Sequence, residues 1–78
     1  MNKKEVDKAR LVIGKELQAI REDNNLSFYK IAKDSSVQIG RIHDLEKGEK
    51  SYTIDTLIKL SKAFGKENIL KAMNKALK

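Results

Sequence analysis

Residues 26–48, LSFYKIAKDSSVQIGRIHDLEKG, read as two short helices separated by a tight turn. Ser27 is placed to cap the first helix, its hydroxyl accepting from the backbone N–H of Tyr29 or Lys30. That helix runs to about Asp34 and carries Ile31 and Ala32 inward. Ser35 and Ser36 make the turn, and Val37 leads out of it. The next helix, from about Gln38 to Lys47, carries Ile42 and Leu45 inward. Gly48 can take the positive φ that closes it. Helices this short are marginal alone, because nucleation fixes several residues for a single hydrogen bond. The flanking segments must therefore clamp the pair.

Upstream, Val6, Ala9, Ile13, Leu17 and Ile20 recur three and four apart and draw one apolar stripe along a helix over about residues 4–23. Leu11 and Val12 lie off that stripe. Gly14 costs about 1 kcal/mol relative to alanine in a helix interior, which points to close packing or a soft point there. Asn24 and Asn25 tolerate the left-handed conformation that ends helices. Downstream, residues 49–52 form a polar loop, and Thr53 caps a fourth helix with Asp55 in its first turn. Ile54, Leu57, Ile58, Leu60, Ala63 and Phe64 make that helix apolar over more than half its circumference, and Gly65 ends it. A fifth helix over about residues 67–77 sets Ile69, Leu70, Met73 and Leu77 on one face, with Lys66, Lys71, Lys75 and Lys78 on the other. Proline is absent, and β-branched residues never alternate over a strand length. The expected fold is all-α: one compact five-helix domain over residues 1–78, its second and third helices forming a helix-turn-helix.

The chain carries a formal net charge of +6, no cysteine and one histidine. The charge favours a polyanionic partner, most simply nucleic acid. Its distribution weakens that signal, because residues 53–78 hold six Lys/Arg against two Asp/Glu while the rest is nearly balanced. Without cysteine there is neither a disulfide framework nor a thiolate metal site, and His43 has no second imidazole to share a metal. Ser35 and Ser36 lack a base with an orienting group, and no glycine-rich phosphate cradle exists. No enzyme activity, cofactor or metal is expected. No apolar run approaches the roughly 20 residues that cross a bilayer, and the N-terminal residues lack the apolar core of a signal peptide. No membrane partner is expected either, the lysines of the fifth helix being read as facing water.

A rigidly presented pair of short helices is a form suited to reading DNA. On a 100° wheel, the side of the third helix opposite Ile42 and Leu45 is Gly40, His43, Asp44 and Lys47, flanked by Arg41. Gln38 and Ile39 project at its N-terminal end. A helix in a major groove brings its N-terminal residues to base edges. Gln38 can bond adenine and Arg41 guanine in bidentate fashion, and Ile39 can pack on a thymine methyl. Gly40 lets the backbone approach, Asp44 can accept from a cytosine amino group, and His43 shares the groove side. These six are the candidate base readers.

The pattern IxKELQAIRxxNxLSxxKIAxxxxVxxxxIxxLExG, followed by TIDTLIKLSKAFG, resembles the lambda-repressor-like Cro/CI (XRE-type) helix-turn-helix family of phage and bacterial regulators. The resemblance covers roughly residues 13–65. Its most specific elements in register are Arg21, Leu26-Ser27, Ile31-Ala32, Val37, Ile42, Glu46 and Gly48, then Leu57 and Ala63-Phe64-Gly65. It implies a bacterial-type transcriptional regulator, working in the bacterial cytoplasm or in a phage host. It also implies that Arg21 and Glu46 form a structural ion pair. The chain departs from the family at three places. Phe28 stands where a glutamine usually touches phosphate, Ser36 replaces the turn glycine, and Gln38 opens the third helix where serine or threonine would cap better.

Phosphate contacts are expected from Ser27 and from the free N–H groups of Phe28 and Tyr29 at the start of the second helix. Lys47, Lys50, Ser51 and Tyr52 in the following loop are the other candidates. The spare apolar surface of the fourth and fifth helices points to a two-fold homodimer through Phe64, Ile69, Leu70, Met73 and Leu77. The alternative is that the fifth helix folds back and completes a monomeric core. The expected function is dimeric, sequence-specific binding of double-stranded DNA at a palindromic operator, with repression as the default outcome. The alternative is a helix-turn-helix used as an antirepressor-like or antitoxin-like protein-binding module, its protein partner unknown.

Overall fold

The computed structural model describes residues 2–78, which form five helices and no strand. Helix α1 (Lys3–Asp23) starts where the Asn2 side chain accepts from the Glu5 N–H at 2.9 Å. It ends as Asn24 turns back: its backbone N–H and its side-chain amide both donate to the Ile20 carbonyl, and Asn25 takes a φ of 54°. Helix α2 (Phe28–Ser35) is capped by Ser27, whose hydroxyl accepts from the Lys30 N–H at 3.0 Å.

The turn into α3 (Ile39–Glu46) works without glycine because two serines divide the task. Ser36 takes the left-handed conformation at φ 63°, ψ 25°, which costs a non-glycine residue about 1 kcal/mol or more. Ser35 offsets part of that cost. Its buried hydroxyl donates to the Ile31 carbonyl at 2.6 Å and accepts from the Val37 N–H at 3.1 Å. Gln38 makes no side-chain cap to α3. At the other end Gly48, at φ 78°, lets its own N–H reach the Leu45 carbonyl and the Glu49 N–H reach the Asp44 carbonyl. The Leu11 side chain lies against Gly48, where a Cβ would meet it at 2.7 Å. An off-stripe leucine of α1 is thereby seated on the closing turn of α3.

Helices α4 (Ile54–Phe64) and α5 (Lys66–Ala76) follow. The Thr53 hydroxyl accepts from the Thr56 N–H at 3.1 Å to cap α4, and Gly65 joins the two helices at φ 92°. Helix α1 packs on α3 and α5, while α2 packs on α3 and α4. The short α2–α3 pair is thus held on both sides. One core joins all five helices through Leu17, Ile20, Ile31, Val37, Ile42, Leu45, Leu60, Phe64, Ile69 and Ala72. Each large aliphatic side chain so buried contributes about 1.5–3 kcal/mol. Outside the core, Lys75 of α5 reaches Glu16 of α1 at 2.8 Å.

Two expectations change. Val6 is exposed, because the α1 stripe outruns the core that covers its later turns. Phe64 and Ile69 are each only 5% exposed within a single chain. They complete the monomer's core and have almost no surface left for a partner. Helix α5 does fold back, yet it leaves Leu70 56% and Leu77 68% exposed, with Met73 half-buried between them.

Candidate functional site

The outward end of α3 is prepared by what holds its other side. Ile42 and Leu45 are buried, so the helix cannot rotate without withdrawing them from the core. Arg21 of α1 locks the same helix from behind: its Nε donates to Glu46 Oε2 at 2.8 Å and its Nη2 to Oε1 at 3.3 Å. The Arg21 and Glu46 side chains are 16% and 9% exposed. A two-point bond of this kind fixes direction as well as distance.

With the helix so held, Gln38, Ile39, Gly40, Arg41 and His43 are all exposed. A Cβ built on Gly40 finds nothing within 4 Å, so the backbone there faces open space. Asp44 is half-buried and lies nearer the edge of this face than the wheel implied, because the turn after Glu46 folds beneath it through the Glu49 N–H. His43 is exposed but engaged by a neighbour from α2. Its imidazole stacks on Phe28, with ring centroids 3.8 Å apart and planes inclined by 24°. The Arg21 guanidinium carbon lies 4.1 Å from the same Phe28 centroid. Two planar groups cannot share one face at those distances, so Phe28 is sandwiched between them.

Several backbone-contact candidates are open to solvent. Ser27, Tyr29, Lys47, Lys50 and Ser51 are exposed around the two ends of the helix pair. The Ser51 hydroxyl accepts from Arg10 at 3.1 Å, and Arg10 also pairs with Asp7. Tyr52 does not fit that role. Its hydroxyl is turned inward and donates to the Leu45 carbonyl at 2.9 Å, bracing the end of α3. Burial, then the Glu46 carboxylate, pushes its phenol well above the ordinary value. The Phe28 side chain is likewise engaged in the stack, which leaves only its backbone N–H to face a ligand.

One residue was invisible to sequence reasoning. Lys59 of α4 lines a shallow cleft with Ser36, Val37, Gln38, Arg41 and Thr56, beside the exposed start of α3. Only the crossing of α4 over the turn brings it there, so no local pattern announces it. Among the described residues, no group of three His, Cys, Asp or Glu side chains is placed to hold a metal ion. No described helix is long and apolar enough to cross a membrane.

A family model for Helix-turn-helix matches residues 17–67, from the middle of α1 to the start of α5. No curated protein and no solved structure matches the chain.

Proposed function

The chain belongs to the XRE-type, Cro/CI-like helix-turn-helix family of DNA-binding transcription regulators, and from that premise we propose that it binds an approximately palindromic duplex operator as a homodimer. Each copy places α3 in a major groove, the two grooves lying about 34 Å apart along the duplex. The observation that carries this reading is the exposed run Gln38, Ile39, Gly40 and Arg41 on a helix whose opposite side is buried and locked. Those four residues read bases. Ser27, the free N–H groups of Phe28 and Tyr29, and Lys47, Lys50 and Ser51 hold the phosphates. Bound across a promoter, the dimer excludes polymerase, so repression is the expected outcome.

The second copy covers Leu70, Met73 and Leu77 together with Ile54 and Ile58 of α4. All but the half-buried Met73 are exposed large apolar side chains. Shared cover over such a surface is what a domain this small gains by pairing.

Selection of bound duplexes from a random pool, followed by binding titrations, tests the reading. The expected product is a two-fold symmetric site. Replacing Arg41 by alanine relaxes one position at about 1–3 kcal/mol, whereas Lys50→Ala weakens all sequences alike and lowers the salt slope by about 1. A chain that selects nothing, even at low salt, overturns the proposal in favour of a protein-binding role.

A further inference from the structure

Phe28 and His43 carry an inference that rests on the DNA-binding reading and refines it. Phe28 opens α2, and the start of that helix is where the docked motif meets the sugar–phosphate backbone. His43 is stacked on Phe28, and Arg21 closes the far face of the ring. Arg21 in turn is tied to Glu46. Glu46, Arg21, Phe28 and His43 therefore form one chain of contacts running from the locked base of α3 to its surface. The stack orients the imidazole plane, His43 is exposed, and it stands beside Phe28, the first residue of α2.

We propose that His43 is a proton-linked phosphate contact and that Phe28 is the positioning residue that holds its imidazole at the DNA backbone. Polar recognition lost where the family usually carries a glutamine is thereby supplied from α3, across an aromatic platform. Histidine is the side chain whose charge ordinarily changes between pH 5 and 8. The charged groups around this one are few. Helix α1 contributes Arg21, its charge answered by Glu46. Helix α2 contributes the uncharged Phe28, with Lys30 engaged by Asp34 at 3.1 Å. Along α3 itself stand the neighbouring Asp44 and, one turn on, Lys47. A phosphate oxygen at the exposed edge favours the imidazolium over the neutral ring. DNA binding therefore takes up a proton, and affinity rises as pH falls through the histidine range. A neutral imidazole still donates one N–H, so binding weakens at high pH without being lost.

The test is fluorescence anisotropy of the full chain on its selected duplex from pH 5.5 to 8.5 at constant ionic strength. Wild type is expected to tighten toward acid by up to about tenfold, the factor that corresponds to one unit of change in proton affinity. His43→Gln, at an exposed position, is expected to fold and give a flat profile. Phe28→Leu fills much of the same volume but cannot stack, and is expected to flatten the profile while circular dichroism shows the helices intact. A wild-type affinity independent of pH overturns the proposal, as does a His43→Gln variant that keeps the full slope. Phe28→Leu with an unchanged slope overturns the positioning role. Absence of duplex binding at every pH is a separate result, and overturns the DNA-binding reading on which this one rests.

Discussion

Gly14 of α1 lies directly against the carbonyl end of α3: a Cβ at this position would stand 2.8 Å from the Leu45 carbonyl oxygen and closer still to that of Glu46. Backbone atoms cannot step aside as a flexible side chain can. Gly14→Ala therefore sets two effects against each other. Alanine gains about 1 kcal/mol of helix propensity, but overpacking a tight contact costs about 1–3 kcal/mol, and here it also pushes α3 outward. The expected net result is destabilisation in urea melts together with weaker DNA binding. A variant more stable than wild type would show that the two helices separate without cost.

Arg21 and Glu46 hold the same junction by charge. Both are mostly buried and bonded at two points, so removing one partner leaves the other uncompensated. Arg21→Ala or Glu46→Ala is expected to cost about 3–5 kcal/mol, whereas Arg21→Met with Glu46→Leu should recover more than half of that loss. Denaturant midpoints of the two single variants and the double variant decide it. Equal losses in all three would mean that the pair itself, and not its isolated halves, carries the stability.

These relationships mark the limit of what the residues alone disclose. The helices, their caps at Ser27 and Thr53 and the closing glycine Gly48 follow from local pattern, because each depends on neighbours within a few positions. Close packing at Gly14 was one of two readings open to sequence, and only the crossing of α1 over α3 decides between them. Phe28 is the sharper case. Its departure from the family was plain in the sequence, but its role depends on Arg21 and His43, which come from two other helices. The same holds for Lys59, placed by the path of α4, and for Tyr52, whose hydroxyl turns inward to the Leu45 carbonyl at the end of α3. The mixed fate of the fifth-helix face has a similar cause. A single apolar stripe on α5 is shared between the core, which takes Ile69, and the surface, which keeps Leu70 and Leu77.

That division gives a separable prediction for assembly. Leu70→Glu with Leu77→Glu changes only exposed positions, and is expected to abolish concentration-dependent association in sedimentation velocity while leaving the thermal transition of the monomer in place. Phe64→Ala or Ile69→Ala should behave oppositely, lowering monomer stability by about 2–5 kcal/mol through loss of buried volume. A wild-type chain that stays monomeric across the accessible concentration range would remove the dimer from the proposed function.

Tyr52 supplies a pH signature for the brace at the end of α3. Its phenol is raised above the ordinary value first by burial and then by the Glu46 carboxylate. A group raised in the folded state contributes stability that is complete below its unfolded value, which is about 10 for tyrosine. That contribution is lost as pH climbs from there toward the folded value, because ionisation then favours the unfolded chain. Wild type is therefore expected to lose stability above about pH 10 more steeply than Tyr52→Phe, which has nothing to ionise at that position. At neutral pH, before that loss begins, wild type is the more stable of the two. The variant lacks the bond to the Leu45 carbonyl, and should be about 0.5–1.5 kcal/mol less stable. Urea melts of both proteins between pH 7 and 11 should thus converge as pH rises. Lysines titrate in the same interval, but they are common to both chains and cancel in the difference. A stability difference that stays constant across the range would show that the Tyr52 hydroxyl is not held inward as its contact with Leu45 requires.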